Sequence, residues 1–236
     1  MNLELELIQY SPMELERLAQ ETLRRRVDVL RKPPIDIELL IEGNGDTTLE
    51  VKDGLLAKGI EGCVLKKLLT KKIFVWVDYH IYRGPWPEYY SVLGEEFAHI
   101  RIHQSLLLLV RSVEDFLELQ GHPLWTHYER DARRFSRMIR MPADLFTDMA
   151  ESLYPQFVQE FGFGDPVAIQ LHLRNALASK FAATPADAQR RMMDATCNLE
   201  TRTLMSVQAG SSVLLPTGTS IGVRHTQQSF LGQPQD

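Results

Sequence analysis

Leu15, Leu18, Leu23, Val27 and Leu30 recur at helical spacing between Ser11 and Arg31, with Ser11-Pro12 as cap and first turn, which predicts an amphipathic helix. Pro33-Pro34 ends it. A short helix from Asp36 to about Glu42 stops at Gly43-Asn44-Gly45, and three strand-like runs follow, Thr47 to Val51, Gly62 to Leu68 and Lys72 to Val77. Their short connections predict an antiparallel meander. Beyond the Pro85-Trp86-Pro87 break the helical period returns from about Tyr89 to Val110 and again from about Trp125 to Arg140, ended by Pro142. Asp165 to Phe181 and Thr184 to about Met205 read as a helical pair, with Thr184 as cap and Pro185 in the first turn. Ser, Thr, Gln, Gly and Pro then dominate, so 206–236 is expected to be a weakly ordered tail in which Ser212 to Leu215 can add a short strand. The fold class is α+β: mostly helical, with a small antiparallel three-stranded sheet over residues 1–160 and a helical segment, 161–205, packed on it.

A chain of 236 residues with 44% hydrophobic and 24% charged residues suits one generous domain or two small ones, and excludes wholesale disorder and collagen-like architecture. The net charge of −5 opposes diffuse attraction to nucleic acid, so any such contact must be local. The longest apolar run, Leu106 to Val110, is far too short to cross a membrane. Glu4 and Glu6 stand where a secretory signal would be basic and then apolar, and Cys63 and Cys197 have no ligand spacing around them; a cytoplasmic setting is the expectation.

Wound onto a helix, Glu95, Glu96, His99 and His103 share one arc, beside an apolar stripe of Leu93, Phe97, Ile100, Leu107 and Leu108. The cluster therefore lies at the edge of the core. Glu95 and His99, four residues apart, can converge on one ion while Glu96 points alongside as a general base. The same pattern also suits a solvated glutamate pair next to a hydrogen-bonded histidine. On the following helix Ala132, Phe135, Met138 and Ile139 face inward, Arg130, Arg133, Arg134, Arg137 and Arg140 lie nearly opposite, and Glu129 sits at the seam beside Ser136. The three tryptophans, Trp76, Trp86 and Trp125, are expected to pack at the sheet and helix ends rather than stack on bases.

These two helices resemble the ImmA/IrrE metallopeptidases, whose pattern is HExxH followed about thirty positions later by ExxANxFAxxLLMP. Here the first element is EEFAH, Glu95 to His99, and the second matches at Glu129, Ala132, Phe135, Ile139, Met141 and Pro142, with Arg133 in place of Asn and Arg140 in place of Leu. The resemblance implies a reduced zincin-like core, one divalent metal held by Glu95, His99 and Glu129, and Glu96 as the catalytic base. Its substrate class would be a protein such as a transcriptional repressor. Zn²⁺ is the ion expected first; because Glu95 replaces the first histidine, the formal charge of a zinc site falls by one unit, bound water becomes less acidic, and the oxygen-richer donor set makes Mn²⁺ or Fe²⁺ the alternatives. An alternative register uses His99 and His103 with Glu129 but leaves Ile100 where the base belongs; otherwise His103 supports the ligands from behind. The functional alternatives are a metal-dependent endopeptidase and a catalytically inactive relative that binds a protein partner and regulates it. Local DNA binding through a patch of Arg130, Arg134 and Arg137 is a third.

Overall fold

The computed structural model describes residues 5, 8–26, 32–67 and 70–216; the predicted end of the first helix at 27–31, the end of the second strand at 68 and the tail from 217 lie outside the described residues. Helix α1 (Pro12–Arg24) starts in a capping box: the Ser11 hydroxyl accepts from the Glu14 amide at 3.2 Å and Glu14 accepts from the Ser11 amide at 2.7 Å. Helix α2 (Ile37–Glu42) is capped by Asp36 and delivers Ile37, Leu40 and Ile41 to the core.

Three strands, β1 (Thr47–Lys52), β2 (Gly62–Lys66) and β3 (Ile73–Asp78), form one sheet in the order β1-β3-β2. β3 is antiparallel to β2 but parallel to β1, so the sheet is mixed and the expected antiparallel meander is corrected. The connection from β1 to β2, residues 53–61 with a single 3-10 turn at Leu56–Lys58, carries the chain past one strand position. β3 then fills the gap, and its terminal Asp78 fixes that connection by accepting from the Leu56 amide at 2.8 Å. Alternation along β2 turns Val64 toward the helices of the first core and Cys63 and Leu65 toward a smaller core on the other face.

After a short α3 (Tyr79–Arg83), α4 runs from Trp86 to Ile102. It ends eight residues before the predicted Val110, because His103 leaves helical geometry (φ −121°, ψ 44°) and 106–108 form a separate 3-10 turn. Helix α5 (Val113–Gln120) precedes α6, which spans Trp125–Arg140 as predicted. Gly94 of α4 lies against Ser136 of α6: a Cβ at Gly94 would sit 2.4 Å from the Ser136 hydroxyl, so only glycine lets the two helices approach this closely. Leu93, Phe97, Ala132, Phe135 and Ile139 close the first core with Leu15 of α1.

A second core gathers α7 (Ala143–Phe161), α8 (Pro166–Lys180), α9 (Pro185–Met193) and α10 (Leu199–Gln208) around Phe146, Tyr154, Leu173, Leu177 and Met192. The single helix expected from Thr184 to Met205 is broken at 194–198, where Asn198 adopts a left-handed conformation (φ 48°). Arg191, fully buried, holds the break: it donates to Asp194 at 3.3 Å and Thr196 at 2.9 Å. It also donates to Glu16 of α1 at 2.7 Å and to the Met141 carbonyl at 2.8 Å, tying the second core to the first. The expected strand at Ser212 to Leu215 is absent among the described residues. The chain there folds back on α10 instead, with the Leu215 amide on Ser206, the Leu215 carbonyl on Arg202 and Leu214 buried. No helix among the described residues is long and apolar enough to cross a membrane.

Candidate functional site

The close packing of α4 on α6 brings Glu95, His99 and Glu129 to one place. His99 Nε2 lies 3.3 Å from Glu129 Oε1, and the His99 ring stacks on Trp125 with centroids 5.5 Å apart and planes 6° from parallel. Behind it His103, fully buried, sets its Nδ1 3.0 Å from Nδ1 of His99. His103 Nε2, on the far side of its ring, is buried and has no hydrogen-bond partner. Burial, followed by the neighbouring His99, pushes the His103 imidazole down to about 2.

Arg133 closes the front of the site. Its Nη2 donates to Glu129 Oε2 at 3.2 Å and its Nε donates to Glu95 Oε2 at 3.4 Å, so one guanidinium spans the two carboxylates. Ser91 donates to the other Glu95 oxygen at 3.2 Å. Burial and then the charge of Glu129 raise the Glu95 carboxyl, against the pull of Arg133. Burial acts on Glu129 too, but the His99 hydrogen bond and the Arg133 charge outweigh it and hold that carboxyl below the usual range.

Glu96 is tucked under β2, and it lines one small cavity together with Glu95, Glu129 and Arg133. A Cβ at Gly62 would lie 3.1 Å from its Cγ and Oε1, which shows how tightly the strand covers it. Its Oε2 is buried without a hydrogen-bond partner, and burial, then Glu129 and Glu95, raises its carboxyl well above the usual range.

A zinc site in this geometry needs three protein donors aimed at one point. His99 and Glu129 supply two, at a separation an ion could bridge, but Glu95 is turned to Arg133. Among the described residues no group of three His, Cys, Asp or Glu side chains is placed to hold a metal ion. The donor set as arranged does not fit a metal; a guanidinium holds the carboxylates instead.

Above the site opens a cleft of about 800 Å³, with Arg130, Arg133, Arg134 and Arg137 of α6 on one wall and Arg190 of α9 contributing. Arg130 makes a long contact to Asp131 (3.5 Å), and Arg190 to Asp187 (3.6 Å). The Nε of Arg137 is buried with no partner. Arg140, placed by its spacing on the solvated side, is corrected: it is 1% exposed, donates to Asp187 at 3.0 Å and to Ser91 and Ser136 at 3.3 Å, and is part of the interior.

No family model matches this chain, and no curated protein matches it. Roles therefore follow from the geometry alone. Sequence reading missed the bridging role of Arg133, although its i, i+4 spacing from Glu129 is the signal for such a pair. Arg190 joins the cleft only through the fold, and nothing in its local sequence announces it.

Proposed function

We propose that this chain is a catalytically inactive relative of the ImmA/IrrE metallopeptidases that binds an acidic segment of a protein partner in the arginine-lined cleft. The observation that carries the reading is the contact of Arg133 with both Glu95 and Glu129. Glu95 and Arg133 are two departures from the family pattern, and they touch each other. A carboxylate in place of an imidazole calls for a cation, and the guanidinium supplies a permanent one. Arg130, Arg134 and Arg137 lie along one face of α6, with about 10 Å of helix rise from first to last. That row matches carboxylates spaced along an extended peptide, which the arginines lining the cleft can hold by charge-assisted hydrogen bonds. Glu61, Glu88 and Asp187 also line the cleft, beside Glu95 and Glu129, so recognition depends on spacing along the row rather than on diffuse negative charge.

The His99–Glu129 separation favours a second reading, a metal-dependent endopeptidase in which Arg133 swings aside and Glu95 completes the donor set. Elemental analysis after exposure to Zn²⁺, Mn²⁺ and Fe²⁺ and dialysis decides between them. The inactive module predicts no stoichiometric metal in the wild type and about one ion per chain in the Glu95→His, Arg133→Asn double variant, lost again on His99→Ala. It also predicts binding of a Glu-rich fluorescent peptide that ignores chelator and weakens in Arg134→Glu, Arg137→Glu. One ion per wild-type chain, with hydrolysis of a protein substrate abolished by Glu96→Gln, overturns it. Tighter retention of duplex DNA than of the peptide overturns the choice of partner.

A further inference from the structure

A second cavity, of about 350 Å³, opens where α2, α3 and α4 meet and shares no lining residue with the arginine cleft. Glu38, Tyr82, Trp86 and Tyr89 form its walls, with Arg83 and Gly84 at its edge. Tyr89 is nearly buried and forms the floor. Tyr82 stands nearly perpendicular to it, with centroids 5.5 Å apart and planes at 80°, and Trp86 stands likewise at 6.0 Å and 70°. Three steeply inclined rings thus surround one space. Two of them are held in water at a cost: Trp86, which the sequence suggested would pack at a helix end, is 61% exposed, and Tyr82 is 45% exposed.

The charge around these rings is negative. Burial raises the Tyr89 phenol, and the Glu38 carboxylate adds to the rise. Tyr90, which also packs on Trp86, is pushed up to about 12 by burial and then by Asp36 and Glu38. The start of α4 contributes a fractional positive charge that opposes a cation, which Glu88 in its first turn reduces from its place on the arginine cleft. Arg83 is the only basic side chain on the cavity wall. Among the described residues the cations seated over rings are Lys52 on Trp76 and Lys67 on Phe74, so Arg83 does not cap this box.

We propose that Tyr82, Trp86, Tyr89 and Glu38 form an aromatic cage for a quaternary ammonium group. The negative faces of the rings attract a cation within about 6 Å of their centroids. Methylated nitrogen suits the site because it carries charge without needing hydrogen-bond acceptors, and the walls offer mainly π surface with a single carboxylate. Arg83, as a like charge at the rim, opposes the ligand. This inference is independent of what occupies the arginine cleft.

The test titrates the full chain with choline and with its neutral carbon isostere 3,3-dimethylbutanol, following the three indole N–H resonances, with Trp86 assigned through Trp86→Phe. Choline should shift the Trp86 resonance saturably while leaving Trp76 and Trp125 in place, and the isostere should bind at least about fivefold more weakly. Tyr82→Ala, at an exposed position, and Glu38→Gln, at a half-buried one that keeps the side chain's shape, should each weaken choline by a similar factor with the fold retained by circular dichroism, and Arg83→Ala should strengthen it. A short trimethyllysine peptide distinguishes the sources: tighter binding than choline places the ammonium on a protein, weaker binding on a small molecule. Equal binding of choline and isostere, no saturable shift with either cation, or weaker binding in Arg83→Ala overturns the cage.

Discussion

Replacing His103 with asparagine isolates the cost of keeping a neutral imidazole inside the fold. Asparagine retains an N–H to donate toward His99 but cannot take up a proton. In the folded chain His103 stays neutral down to about 2, whereas in the unfolded chain it protonates near the ordinary 6.5. The unfolded state therefore binds more protons between these values, so stability is intact above about 6.5 and is lost as pH falls. Each pH unit in that window is worth about 1.4 kcal/mol. Between pH 6.5 and 4.5 the wild type should thus lose about 2 to 3 kcal/mol more than His103→Asn, whatever constant offset the substitution brings. Urea unfolding followed by circular dichroism at a series of pH values reads this difference directly. Parallel loss of stability in the two proteins would refute the burial argument, since it would mean that His103 protonates equally in both states.

Glu96 titrates with the opposite sign: its folded carboxyl is raised, so the unfolded chain ionises first and the wild type pays increasingly above about pH 4.5. Glu96→Gln should therefore have a higher urea midpoint than the wild type at pH 8 and match it near pH 4. Gly94→Ala should destabilise by about 1 to 3 kcal/mol despite the better helix propensity of alanine. Adding Ser136→Ala, which removes the hydroxyl 2.4 Å from the new methyl, should recover part of that loss in a double-mutant cycle by thermal melting.

How far the sequence could be read depended on whether a feature is local. α6 was legible to the residue because its apolar stripe, its arginines and Pro142 all act within a few turns. The convergence of His99 on Glu129 followed from two helices meeting edge to edge. Strand order was not legible: the spacings allow β1 and β2 to be neighbours, and only the placement of Asp78 against the 53–61 connection shows that β3 lies between them. Arg140 read as a surface residue because its partner Asp187 is 47 positions away on α9. α7 escaped notice because Pro155 interrupts its pattern, although the fold carries the helix through it. The helical projection groups Glu96 with the other titratable side chains, but its cover by Gly62 depends on a tertiary contact that no such projection contains.

The two buried arginines also determine where the chain can be cut. Arg140 and Glu16 belong to the first core, yet their partners Asp187 and Arg191 lie on α9. A fragment ending near residue 160 would keep each as a lone charge inside an apolar interior, where losing one member of a buried pair costs about 3 to 5 kcal/mol. Such a fragment would inherit two unneutralised ions and a stripped face of α7. A stable piece therefore has to include α9, and limited proteolysis should leave α1 and α9 together in the resistant product.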